Sequence, residues 1–222
     1  MSGLSFGALL RDVESYLRDE LLLTPLPDEP ALRADFRGHP ATLSSRCYQG
    51  PAIRFGRATI FAAAEAEIAS LAFFPRLDRG APILGVDLVE HARGSGLVVA
   101  DLSPVLEGTP VDPTMARAAA DLPSAGELPA WARRVFSSVP IFARVGDASI
   151  ASAAIRTAAC AFVSSVRGSA AAGAAIESVR EAQIRYVRAH REEDRALGLL
   201  GKVFGVATAQ RYVREVLFPE VV

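Results

Sequence analysis

One carboxylate stands out by its surroundings. Asp101 ends an apolar run, Gly96-Leu97-Val98-Val99-Ala100-Asp101-Leu102-Ser103-Pro104. The run reads as a buried strand, and burial disfavours an ionised carboxylate, so such a group can keep its proton near neutrality and donate it. An aspartate here can equally cap the turn begun by Ser103-Pro104. A second concentration is basic: Arg180, Arg185, Arg188, His190, Arg191 and Arg195 crowd together, with Glu192, Glu193 and Asp194 among them. Arginines at this density can hold ligand carboxylates and attract an acidic protein, and the same pattern also describes a solvated helix face. Other machinery is missing. Gly80, Gly85, Gly94 and Gly96 fit neither the dinucleotide nor the Walker spacing, and no G-x-S-x-G elbow occurs. His39, His91 and His190 are not spaced as metal ligands and read as surface residues; Cys47 and Cys160 lie too far apart for a zinc pattern or a disulfide framework.

The 222 residues are half hydrophobic with a net charge of −1, a globular composition that points to no nucleic-acid partner. Met1-Ser2-Gly3-Leu4 opens no export signal, and Arg156 interrupts the most apolar region, 150–166, below the roughly 18 uncharged residues of a membrane span. A cytoplasmic monomer without membrane or nucleic-acid partners is expected.

The elements that must position these groups follow from periodicity. Phe6, Leu9, Leu10, Val13, Leu17 and Leu21 recur at helical spacing with charges between them, and the prolines of 24–30 end that helix. Strands are expected at Thr42–Tyr48, Ile53–Ala62, Glu67–Phe74, Ile83–His91 and Leu97–Leu102, with a sixth at Val139–Arg144. No helix pattern separates the first five, so they form an antiparallel meander. Their near-continuous apolarity requires cover on both faces. A short helix falls around 115–120. Beyond Gly146 the chain reads as helix: an Ala-rich segment from Asp147 or Ser149 to Arg167, then 174–190, 195–204 stopped by Gly205, and 207–217. The expected fold is α+β, a three-layer α/β/α sandwich with a central antiparallel sheet, in one domain over residues 1–222.

Arg46-Cys47-Tyr48-Gln49-x-Pro51, Phe74-Pro75, Pro82-Ile83-Leu84-Gly85-Val86-Asp87 and Ala100-Asp101-Leu102-Ser103-Pro104 occur in this order, followed by Tyr186, Asp194, Phe204-Gly205, Arg211-Tyr212 and Val216-Leu217-Phe218. From about Ser45 to the C-terminus this resembles the ferredoxin-dependent bilin reductases. The resemblance implies an open-chain tetrapyrrole held between sheet and C-terminal helices, no metal or flavin bound by the protein, single electrons from reduced ferredoxin, and protons delivered to a bilin radical. It implies that Asp101 is the proton-handling aspartate of the sheet and Asp194 its counterpart on the helical side. Arg144 and Arg195 fall where members hold the bilin propionates, and Ser103 lines the pocket.

Members that carry out a four-electron reduction place a glutamate and a histidine on neighbouring strands. The matching positions here are Thr59 and Ser70, which line the pocket but cannot supply protons near neutrality as Glu and His do. The expected activity is therefore a two-electron reduction of biliverdin or a related bilin, with acidic ferredoxin docking near a basic surface. A bilin carrier without turnover, and a reductase of another open-chain tetrapyrrole such as a chlorophyll catabolite, are the alternatives.

Overall fold

The computed structural model describes residues 5–27, 29–64, 66–91, 95–169, 173–193 and 195–222. Helix α1 (Phe6–Leu21) begins where the Ser5 hydroxyl accepts from the Ala8 amide, and ends at Leu22 in the left-handed region. Its apolar stripe, Phe6, Leu9, Leu10, Val13, Leu17 and Leu21, is buried, as its spacing requires. Strands β1 (Thr24–Pro25), β2 (Leu32–Phe36), β3 (His39–Gln49), β4 (Ile53–Ala63), β5 (Ala66–Pro75), β6 (Ile83–His91), β7 (Ser95–Ser103) and β8 (Ile141–Val145) form one sheet in the order β1-β3-β4-β5-β6-β7-β8, with β2 also on the outer edge of β3. All pairings are antiparallel.

Two edge strands, β1 and β2, lie beyond the six expected from the sequence. The β2–β3 hairpin turns through Arg37 (φ 59°) and Gly38 (φ 81°), with the Gly38 amide donating to Asp35 Oδ1 at 2.9 Å. Positive φ at both central residues suits the twist of paired strands. The proline-rich stretch before it hides this signal.

Helices α2 (Pro113–Asp121), α3 (Ala132–Val135), α4 (Ala148–Gly168), α5 (Ile176–Glu193), α6 (Arg195–Phe204) and α7 (Val206–Tyr212) follow, and a π-helical turn, Val213–Leu217, closes the chain. One core lies between the sheet and α1 with α4; a second lies between the sheet and the C-terminal helices. The three-layer sandwich is therefore observed. By length and composition α4 is apolar enough to cross a membrane; here its Ala151, Ala158, Phe162 and Val166 stripe is buried in the first core. The α5 layer is docked by Gln183, which donates to the Pro75 carbonyl at 2.7 Å and accepts from Arg54 at 3.1 Å.

Candidate active site

Register decides what faces the C-terminal helices. Side chains directly opposite each other in a sheet share a face. One row across the strands is Cys47, Arg57, Ala72, Gly85 and Asp101; the next is Ser45, Thr59, Ser70, Asp87, Val99 and Phe142; a third is Leu43, Phe61, Ile68, Val89, Leu97 and Arg144. The residues between them, such as Ala69, Leu88, Val98 and Ala143, are sealed in the opposite core at 0–1% exposure.

The helix-facing side is covered unevenly. At β3 and β4, Ser45, Arg57 and Thr59 are buried beneath the C-terminal turn. At β5 to β8, Ser70, Asp87, Val99, Phe142, Ile68, Val89 and Leu97 are only half-buried and Arg144 is exposed. The centre of a sheet thus presents an open apolar trough with carboxylate, hydroxyl and guanidinium groups at its margins. Central strands are otherwise covered on both faces in such a sandwich, so this surface is a binding-site candidate.

Asp101 lies one row from this trough, with 0% exposure. Ser103 Oγ donates to its Oδ2 at 2.6 Å, and the Ser137 amide donates to Oδ1 and Oδ2 at 3.2 and 3.1 Å, joined by the Ser137 hydroxyl. Desolvation raises its pKa, opposed by these hydrogen bonds, which favour the carboxylate. The turn-capping reading and the titratable reading both find a physical basis here. The carboxyl is closed off on all sides, so it does not face the trough directly.

Asp87 does. Sequence reasoning missed it as a site residue and left Asp101 as the sole sheet acid. Val86 and Leu88 point into the opposite core, which turns Asp87 toward the trough, beside Ser70 and Val99 in register. Asp87 and Asp101 are diagonal neighbours across β6 and β7, roughly 7–8 Å apart at Cα. The available signal was period-two alternation in Val86-Asp87-Leu88, a polar residue between two apolar ones in a central strand.

Thr59 and Ser70 are brought together as a registered pair, and Arg57 binds both: its Nη1 donates to Ser70 Oγ at 2.9 Å and Thr59 Oγ1 at 3.3 Å. Its Nε donates to the Leu217 carbonyl at 2.7 Å, and its guanidinium lies 4.8 Å from the Phe218 ring centroid. Arg144 stands on β8 on the same face of the sheet. Asp194 and the side chain of Arg195 lie outside the described residues.

His190 is not a surface residue. It is 4% exposed and stacked against Phe218, with Tyr186 and Trp131 at ring-centroid distances of 4.4 and 4.8 Å. Helical periodicity explains this: Val179, Gln183, Tyr186 and His190 form the inner stripe of α5. Arg191, counted above in the basic cluster, serves the fold by donating to the Phe218 and Arg214 carbonyls at 2.8 and 2.9 Å. Exposed Arg185 and Arg188 remain on the outer face of α5.

Two cavities flank the Asp101 end. One of about 310 Å³ includes Ser103, Phe136, Arg185 and Tyr186; the other, about 710 Å³, lies behind Ser137 and includes Leu102, Met115 and Ser165. Among the described residues no group of three or more His, Cys, Asp or Glu could hold a metal.

A family model described as ferredoxin-dependent bilin reductase matches residues 16–219. A phycocyanobilin:ferredoxin oxidoreductase of Gloeobacter violaceus is 29% identical over 201 residues, covering 84% of this chain and 78% of the relative. A 15,16-dihydrobiliverdin:ferredoxin oxidoreductase of Nostoc punctiforme is 27% identical over 225 residues, covering 94% and 92%. Among solved structures, tomato phytochromobilin synthase in complex with biliverdin superposes with a TM-score of 0.84 at 20% identity, covering 96% of this chain and 83% of that one.

Proposed function

Because this chain belongs to the ferredoxin-dependent bilin reductase family, and is thereby an oxidoreductase, we propose that it reduces biliverdin or a closely related open-chain tetrapyrrole by two electrons, taken singly from reduced ferredoxin. The observation that carries the substrate class is the half-open trough on the central strands. An apolar floor of Val89, Leu97, Val99 and Phe142 suits conjugated rings, Asp87 suits pyrrole N–H groups, and exposed Arg144 suits a propionate.

Each two-electron reduction takes two protons. Asp87 is the acid placed to touch the ligand. Asp101, whose pKa burial raises against the hydrogen bonds from Ser103 and Ser137, is a proton reserve one row behind it. Asp194 is the second donor implied by the family resemblance, with Arg195 beside it as a propionate ligand. Thr59 and Ser70, as alcohols held by Arg57, bind without protonating. Arg185 and Arg188 offer positive charge to an acidic ferredoxin.

The test mixes the purified protein with biliverdin, records the absorption spectrum, then adds reduced ferredoxin without oxygen. A shift on mixing followed by loss of the bilin band after two electrons is expected. A shift with no product after electron delivery refutes the reductase reading and leaves a carrier; no shift refutes both.

Arg144→Ala is expected to weaken biliverdin binding about fivefold, the ~1 kcal/mol of an exposed ion pair, and to leave biliverdin dimethyl ester unaffected. Titration of both ligands into both proteins by absorbance checks it.

Asp101 also predicts a pH dependence. Its folded pKa is raised above its unfolded value, so the folded state binds the extra proton and wild-type stability falls as pH rises from about 4 through the folded pKa. Asp101→Asn removes that titration, so its denaturation midpoint should fall less over this interval. Equal pH slopes for the two proteins contradict a raised pKa at Asp101.

A further inference from the structure

Arg57 is 4% exposed, an unusual position for an arginine on a sheet face, and Leu217, Phe218, Thr59 and Ser70 fix its geometry. The consequence lies in its hydroxyl neighbours. A hydroxyl has one O–H to give and two lone pairs to accept with. Among the described residues, Ser70 Oγ has no partner other than Arg57 Nη1, so its lone pair faces the guanidinium and its O–H is left to the trough. At Thr59 a second chain converges. The buried Tyr212 hydroxyl donates to Ser45 Oγ at 2.9 Å, and Ser45 Oγ and Thr59 Oγ1 share a hydrogen bond of 2.6 Å. Thr59 thus accepts from Arg57 and is tied through Ser45 to Tyr212, which holds it beside Ser70. This wall of the site presents the Ser70 donor backed by one fixed positive charge.

Resting on the bilin-reductase reading above, we propose that Arg57, acting through Ser70 and Thr59, is a positioning residue for an oxyanion site that takes the lactam oxygen of the bilin and stabilises the negative charge gained with the first electron. In that step reduced ferredoxin is oxidised by one electron and the bilin π-system gains it. No bond to hydrogen forms until a carboxylic acid supplies the proton. The charge at the β4–β5 end is held without protonation, since guanidinium keeps its proton at any working pH and the alcohols are far weaker acids. Proton delivery is left to the carboxylates, Asp87 directly opposite Ser70 on β6 and Asp101 on β7. Within one row of the sheet, the groups that hold charge differ from the group that adds hydrogen. Donors aimed at developing charge in a water-poor site are among the larger contributions an enzyme makes.

The test reads the first-electron step directly. Wild type, Arg57→Gln, Arg57→Lys and Ser70→Ala are each loaded with biliverdin, and anaerobic reduction by reduced ferredoxin is followed by stopped-flow absorbance with spectroelectrochemical titration of the bound bilin. Arg57→Gln is expected to slow the first reduction about 10²-fold, to make the bound bilin harder to reduce and to shift its absorption band, with affinity changed less than about threefold. Arg57→Lys, keeping the charge, should recover part of the loss. Ser70→Ala keeps Arg57's contacts with Leu217, Phe218 and Thr59 and should slow the step about tenfold, so the proposal stays testable if Arg57→Gln fails to fold. Unchanged first-electron rate and spectrum in folded Ser70→Ala, or the same loss in Arg57→Lys as in Arg57→Gln, overturns it. If wild type itself does not bind or reduce biliverdin, the bilin-reductase reading fails instead, and the two failures are distinct.

Discussion

Asp87→Asn is expected to lower bilin reduction by 10²–10⁴-fold, the usual contribution of a positioned general acid, while leaving biliverdin bound. The substitution keeps the size and planar shape of the side chain and removes its ability to carry and transfer a proton. Asp87 is half-buried at the trough, whereas Asp101 is sealed behind it. The two variants should therefore differ: Asp87→Asn stalls the reaction after electron uptake, and Asp101→Asn chiefly changes its pH dependence. Anaerobic single-turnover spectra separate them. Full activity in Asp87→Asn removes that residue from proton transfer; a complete stall in Asp101→Asn with normal Asp87→Asn restores Asp101 as the direct donor.

Glu14→Ala is expected to destabilise the fold by about 2–3 kcal/mol, below the 3–5 kcal/mol for breaking a fully buried pair because Arg46 is 40% exposed. Glu14 is a buried carboxylate on the inner stripe of α1, where it accepts from Arg46 Nε at 2.7 Å, from Arg46 Nη2 and from the Tyr48 hydroxyl. Burial and the nearby carboxylate push the Tyr48 hydroxyl up to about 12, and Glu14 holds the Arg46 guanidinium firmly protonated. Alanine leaves the phenol and part of the guanidinium without an acceptor. The loss should appear as a lower urea midpoint with unchanged slope. A midpoint within error of wild type contradicts this role.

Local pattern carried much of the fold. The helical spacing of Phe6 to Leu21, the strand run from β3 to β7, and the stop at Gly205, whose φ of 87° favours glycine, are short-range properties readable one residue after another. Strands β1 and β2 were not legible, because an edge pairing is stabilised by its partner β3 and prolines mask the pattern. The basic cluster on α5 shows the limit of reading charge alone: Arg191 and His190 belong to the inner face, and which face is inner depends on what α5 packs against.

The site divides along the same line. Composition, the absence of phosphate and elbow motifs, and the ordered short motifs pointed to the family, and local polarity marked Asp101 as a buried carboxyl. Register decided the rest. A strand alternates faces residue by residue, so Asp87 reaches the trough only because β6 pairs with β5 and β7 in one alignment, and a one-residue slip reverses it. The same pairing sets Arg57, Thr59 and Ser70 side by side from two strands and seals Asp101 with Ser137, 36 residues away. Those contacts join residues distant in the chain, and their energies depend on burial and distance, quantities that exist only once the chain has folded.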